Sequence, residues 1–141
     1  ATSLKKLTSL RKLTLGFEDV NLGDDSLKET ANGLQSLTKI TELHLNYGAK
    51  KMTDKGAAEL FKGFKHMKDL TTLKLDLVRT GFTDKGLADL AKGISEFEKI
   101  KVLKLGLKEN KFADQGIADL GKALAKMKSI TSLHMGFFNC N

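Results

Sequence analysis

Four consecutive segments of the chain superimpose at a spacing of 30 residues without insertion or deletion. Leu13-Thr-Leu15, Leu43-His-Leu45, Leu73-Lys-Leu75 and Leu103-Lys-Leu105 mark the step, and Leu133-His-Met135 stands 30 residues further on. A second marker keeps the same period: Asp54-Lys-Gly56, Asp84-Lys-Gly86 and Asp114-Gln-Gly116, with Asp24-Asp-Ser26 as a weaker first copy. Self-similarity at such a period defines a solenoid, in which each unit packs on its neighbours and the core grows linearly. The 141 residues therefore predict one repeat domain, with units near 10–39, 40–69, 70–99 and 100–129 and partial units at 1–9 and 130–141. In such a chain function is sought on a surface before a pocket.

Each unit reads as a short strand, a turn, a helix and a return loop. Positions 13, 15 and 17 and their equivalents are apolar throughout, and period-2 alternation puts them on one face of a strand. Helices are predicted to start at the recurrent aspartate, whose carboxylate would accept from the free amides of its own first turn. Apolar residues follow at helical spacing, as in Leu87, Leu90, Ile94 and Phe97. Strand and helix each have an apolar face that neither buries alone, so stacking predicts one parallel sheet with helices layered behind it. The second unit has Ala57 where the others have Leu27, Leu87 and Ile117, and Phe61 where they have Ala31, Ala91 and Gly121. A small residue offset by a large one on the same helix face keeps core volume.

The pattern Leu10-x-x-Leu13-x-Leu15 with Leu22, and its copies Ile40/Leu43/Leu45/Met52, Leu70/Leu73/Leu75/Phe82 and Ile100/Leu103/Leu105/Phe112, resembles a leucine-rich repeat. The segments Gly56-x-x-x-Leu60, Gly86-x-x-x-Leu90 and Gly116-x-x-x-Leu120 resemble the ribonuclease-inhibitor-like subclass. The resemblance implies an α/β solenoid: a right-handed arc with five parallel strands on the concave side and helices on the convex side. It also implies that the concave strand face binds ligand. Two departures stand out. The stretch between strand and helix is slightly longer than the family's unit. The family's Asn or Cys ladder position is held by Val20, Lys50, Thr80, Asn110 and Cys140, of which only the last three can donate to the turn backbone.

On the outward strand face the columns read Lys12, Glu42, Thr72, Val102, Ser132; then Thr14, His44, Lys74, Lys104, His134; then Gly16, Asn46, Asp76, Gly106, Gly136. Four of the five central members are His or Lys. With strands about 4.8 Å apart they form a stripe. The predicted partner-binding set is Thr14, His44, Lys74, Lys104 and His134, flanked by Lys12, Glu42, Thr72, Asp76 and Lys108. An acidic protein surface suits this stripe, more so as histidine gains charge below about pH 6.5.

The formal net charge of +7 raises nucleic acid as a partner. Lys12, Lys74, Lys104 and Lys108 against Glu18, Glu42 and Asp76 leave the strand face only slightly positive. The other lysines, Lys62, Lys65, Lys92 and Lys126 among them, fall on helices and return loops. There the helix dipole and the pairs Glu59/Lys62, Asp89/Lys92 and Asp119/Lys122 account for them. The phenylalanines occupy core columns except Phe138, and Trp is absent, so Phe138 is the one candidate base-stacking platform, and nucleic-acid binding through the convex lysines is the less favoured alternative.

His44 and His134 lie three strands apart, about 14 Å, too far to share a metal ion. His66 closes a helix. The glycines keep to repeat columns and spell no phosphate-binding loop. No carboxylate pair stands out as acid and base. No enzyme, cofactor or metal site is therefore expected, and a protein–protein interaction module is. No run of 18 apolar residues appears, so no membrane partner is expected. Cys140 has no second cysteine, and no glycosylation acceptor occurs, which favours an intracellular, cytoplasmic setting.

Ala1, Leu4 and Leu7 align with the last part of a helix, and the chain stops just past the fifth strand. The expectation is a segment of a longer array. The alternative is a structural spacer that self-associates or joins neighbouring subunits through uncapped ends that leave Met135 and Phe137 uncovered.

Overall fold

The computed structural model describes residues 3–17, 23–48, 52–138 and 140. Leu22, Val20, Lys50 and Glu18, each invoked above, lie outside the described residues, as do Ala1 and Asn141. Five strands alternate with four helices: β1 (Lys12–Gly16), α1 (Asp24–Leu34), β2 (Glu42–Asn46), α2 (Asp54–Lys62), β3 (Thr72–Asp76), α3 (Asp84–Ile94), β4 (Val102–Gly106), α4 (Asp114–Lys126) and β5 (Ser132–Gly136). The strands form one parallel sheet in sequence order. Every pairing joins residues 30 apart: Leu13 to Leu43, His44 to Lys74, Lys74 to Lys104, Lys104 to His134. An uninterrupted repeat of fixed length makes this register necessary, because a slip by one would turn the leucines of a strand to the wrong face.

Inward residues of the middle strands are buried: Leu43, Leu45, Leu73, Leu75, Leu103 and Leu105 are at most 2 % exposed. The alternation continues one step past each strand into Tyr47, Leu77 and Leu107, all fully buried. Across from them pack Leu27, Leu34, Leu60, Leu87, Leu90 and Ile94 from the helices, and Leu37, Met67 and Phe97 from the return loops close the bottom of the core. Burial of these apolar side chains is the main stabilising term, at roughly 1.5–3 kcal/mol for each large one.

The Ala57/Phe61 exchange is visible in the packing. Ala57 is fully buried and Phe61 is 5 % exposed, its ring 5.4 Å from Phe64, which in turn lies 5.7 Å from Phe97. Phe61 also explains Gly93 on the next helix, where a Cβ would come within 2.9 Å of the Phe61 Cβ.

The aspartates that start the helices act differently from the sequence expectation. The first helical residue is the aspartate itself, and its carboxylate serves the following repeat instead of its own first turn. Asp24 accepts from the Thr53 N–H at 2.8 Å and the Thr53 hydroxyl at 2.6 Å. Asp54 accepts from Thr83 N–H at 2.9 Å, the Thr83 hydroxyl and Gly86 N–H, and Asp84 accepts from Ala113 N–H at 2.7 Å. Stacking in register brings the amino end of the next helix against each carboxylate, and its unpaired amides attract the anion. The residue before the aspartate is the true cap, and at Thr53 its hydroxyl accepts from Lys55 N–H at 3.2 Å.

A second polar ladder runs inside the turns after the strands. Asn110, 3 % exposed, accepts at Oδ1 from Thr80 N–H (3.0 Å), the Thr80 hydroxyl (2.9 Å) and Gly81 N–H (3.1 Å). Its Nδ2 donates to the Leu77 and Leu107 carbonyls at 2.8 and 3.0 Å. Thr80 donates to Leu77 O at 3.1 Å, and the Cys140 thiol lies 3.2 Å from Leu107 O.

Candidate functional site on the open sheet face

The face of the sheet away from the helices carries every residue of the predicted partner-binding set. Lys12, Thr14, Lys104, Lys108 and His134 are exposed, and Glu42, His44, Thr72, Lys74 and Asp76 are half-buried. The parallel register sets the side chains of one column directly beside each other, so the order Thr14, His44, Lys74, Lys104, His134 is a physical row.

Two shallow depressions share this face and meet at His44 and Lys74. The smaller, about 140 Å³, is bounded by Lys12, Thr14, Glu42 and Thr72. The larger, about 380 Å³, is bounded by Asp76, Lys104, Lys108 and His134. It also includes Val78, which the sequence reading left out. Position 78 lies beyond the strand, where alternation is no longer guaranteed, but its column partner Lys108 was the available signal. Small residues shape the larger depression. Gly106 leaves room for the Asp76 carboxylate, which would be 3.1 Å from a Cβ there, and Gly136 leaves room for the Lys108 stem, 3.2 Å from the same hypothetical atom.

Charge divides unevenly between the two. Lys12 and Glu42 form an ion pair at 2.8 Å, which leaves Lys74, shared with the larger depression, as the uncompensated lysine of the smaller one. In the larger one the single acid, Asp76, accepts from Val78 N–H at 3.3 Å. Lys74 and Lys104 stand in register on adjacent strands, and among the described residues neither makes an ion pair or a side-chain hydrogen bond. Like charges set directly opposite each other on a sheet are unfavourable. The face therefore keeps a local excess of positive charge that the fold itself does not need.

Glu42 is committed to Lys12, Asp76 is held by the backbone, and His44 and His134 are separated by two intervening strands. Among the described residues no group of three or more His, Cys, Asp or Glu is placed to hold a metal ion, and no helix is long and apolar enough to cross a membrane. Of the helix-surface pairs read from spacing, Glu59–Lys62 (2.9 Å) and Asp119–Lys122 (3.9 Å) form. Asp89 pairs with Lys85 at 3.3 Å in place of Lys92, because the four-residue spacing brings those heads together on the same helix row.

No known family model matches the sequence, and no curated protein matches it. Solved structures do match. One, described as "Leiomodin-1 Actin-Binding Site 2 (ABS2)", superimposes with a TM-score of 0.74 at 16 % sequence identity, over 96 % of this chain and 76 % of that one. At this identity the likeness is one of fold. The α/β arrangement of five parallel strands and four helices is consistent with a leucine-rich-repeat-like arc.

Proposed function

We propose that this chain is a non-enzymatic protein-interaction module: a right-handed leucine-rich-repeat arc of the ribonuclease-inhibitor-like kind, working in an intracellular setting. It recognises a protein partner on its concave strand face. The observation that carries this reading is the in-register pair Lys74 and Lys104, neither of them in an ion pair, on a preformed, continuous face. The central row His44, Lys74, Lys104 and His134 supplies most of the affinity, and Thr14, Lys12, Glu42, Thr72, Asp76 and Lys108 supply complementarity around it. Interfaces generally concentrate their energy in a few central side chains, and a rigid surface loses little entropy on binding. The partner presents carboxylates to the larger depression. The solved structure with the same fold is described as an actin-binding site, which makes actin the first named protein to try.

The test compares the native chain with Lys74→Glu/Lys104→Glu. Co-sedimentation with actin filaments, and capture from nuclease-treated lysate of the source cells, are run side by side. A protein retained by the native chain and lost by the double variant supports the reading. The same proteins retained equally by both would sink it.

A further inference from the structure

The return loops carry the whole net charge of the protein. Residues 5–11, 35–41, 65–71, 95–101 and 125–131 together hold ten Lys or Arg against three acids, a surplus of seven, which equals the formal net charge of +7. Everywhere else Lys and Arg balance Asp and Glu, fourteen against fourteen. Because the strands are parallel and in sequence order, all five loops lie along the one edge of the sheet where strands begin. Backbone hydrogen bonds stack them in register: Thr41 N–H to Arg11 O (2.7 Å), Thr71 to Thr41 (2.9 Å), Lys101 to Thr71 (2.8 Å) and Thr131 to Lys101 (2.8 Å). The loops thus form a ribbon along one flank of the solenoid, separate from the open sheet face.

Helix dipoles do not account for this concentration. They favour cations within the last turn, as with Lys126 in α4 and with Lys5, Lys6 and Lys65 in the short 3-10 turns Leu4–Lys6 and Gly63–His66, and fall off beyond it. Lys39, Lys68, Lys101 and Lys128 stand past the helix ends, on the approach to the next strand. All ten cations are exposed, and among the described residues only Lys99 has an ion pair, with Asp69 at 2.6 Å. A solubility role would be met by charge of either sign spread over the surface, and it gives no reason for one flank to hold all of it.

We infer that this flank is a second docking face, for an acidic segment of polypeptide. Its chemistry selects against the other polyanions. Nine of the ten cations are Lys, which act as point charges and lack the planar fork suited to phosphate. No Phe, Tyr or Trp ring is exposed on the ribbon to stack a base: Phe97, the only one in the five loops, is 4 % exposed, and the His66 imidazole is half-buried. A lasting hold on a bilayer needs an apolar element beside the charge. The apolar column of these loops is turned inward at Leu37, Met67, Phe97 and Met127, and only Leu7 is exposed. The column of loop amides that could extend a partner strand is already bonded to the neighbouring loop. An acidic chain is therefore held by side-chain charge alone, with a steep dependence on salt.

The experiment measures fluorescence anisotropy of a labelled 16-residue polyglutamate on titration with the protein, at about 50 mM and about 200 mM salt, ionic strengths across which screening tightens. Lys39→Glu/Lys68→Glu/Lys128→Glu is compared with Lys28→Glu/Lys55→Glu/Lys92→Glu, three exposed lysines of the helices. Both triple variants reach the same net charge, so only placement differs. The expected result is binding by the native chain that weakens at least tenfold at the higher salt, is lost in the flank variant and persists in the helix variant. Lys74→Glu/Lys104→Glu should keep it, which separates this face from the sheet face. Equal loss in both triple variants, or no binding by the native chain at low salt, overturns the proposal. So does tighter binding to a 20-base-pair duplex or to phosphatidylserine vesicles than to the peptide.

Discussion

Asp54 and Gly86 sit in successive repeats, 32 residues apart, and form one contact: Asp54 Oδ1 accepts the Gly86 N–H at 3.0 Å. A Cβ on Gly86 would lie 2.4 Å from that same oxygen, closer than any real contact. The geometry recurs at Gly56, where the clash would be with Asp24 at 2.3 Å, and at Gly116, with Asp84 at 2.4 Å. The recurring aspartate and glycine are two halves of a joint across each repeat boundary. In a solenoid, where stability is a sum of repeat and nearest-neighbour terms, such joints hold the array together.

Gly86→Ala should therefore destabilise despite alanine's better helix propensity. The new methyl group displaces a carboxylate fixed by three hydrogen bonds and also meets Phe82 Cβ at 3.1 Å. The expected loss is about 2 kcal/mol, in the range of overpacked cores. Gly121 is the control. It lies inside α4 with nothing within 4 Å of a hypothetical Cβ, so Gly121→Ala should gain about 0.5–1 kcal/mol. Urea unfolding of both variants checks the pair, and equal signs would contradict the joint.

Asn110→Ala should be among the most damaging polar substitutions. It strips an acceptor from Thr80 N–H, the Thr80 hydroxyl and Gly81 N–H, and a donor from the Leu77 and Leu107 carbonyls. Leaving buried groups unpaired costs about 1–3 kcal/mol each where water cannot reach them, and a total near 3 kcal/mol is expected. Thr80→Ala should cost clearly less, because the backbone amide of residue 80 keeps Asn110. Thermal unfolding would show the order reversed if the amide ladder carried no weight.

The repeat period made most of this fold readable, because a pattern copied four times averages out the ambiguity of any single strand or helix. Leu43, Leu73 and Leu103 identify a buried column that one copy alone would leave undecided. The aspartates show where such reading stops. A carboxylate at the start of a helix satisfies the same local pattern whether it caps its own turn or the next repeat, and only stacking decides between them. The position of the open face was legible from alternation at Lys74 and Lys104. Val78 was not, since it lies two residues beyond the strand. The lysines of the return loops were read as separate helix-end charges for a related reason: loops distant in sequence become one surface only once the strands are known to run parallel in order.

Tyr47 offers a test of burial by pH. Desolvation pushes its phenol up to about 12, against a smaller opposing effect of the hydrogen bond with Thr30. A phenol that ionises later in the fold than in the unfolded chain contributes its stability in full below pH 10 and loses it as pH rises through about 12. The native chain should lose about 2–3 kcal/mol more than Tyr47→Phe across that window. Lysine titration is common to both and cancels in the difference. Tyr47 is the only tyrosine and Trp is absent, so tyrosinate absorbance reports this one group. Ionisation near pH 10 in the folded protein would contradict the buried position.

A face retained for binding should be suboptimal for folding, and Lys104→Glu tests that directly. It places a carboxylate opposite Lys74, as Glu42 already stands opposite Lys12 at 2.8 Å. Exchanging a like-charge neighbour for an opposite one on adjacent strands should raise stability by a few tenths of a kcal/mol. The gain should shrink as salt is added, because exposed charges are screened. The same substitution should weaken any partner held by the larger depression by tenfold or more, consistent with a central charge in an interface. Stability and binding then move in opposite directions from one residue, which an ordinary solvated strand position would not do. Denaturation in urea beside a binding titration reads both, and a variant that loses stability and binding together would point to damaged structure instead.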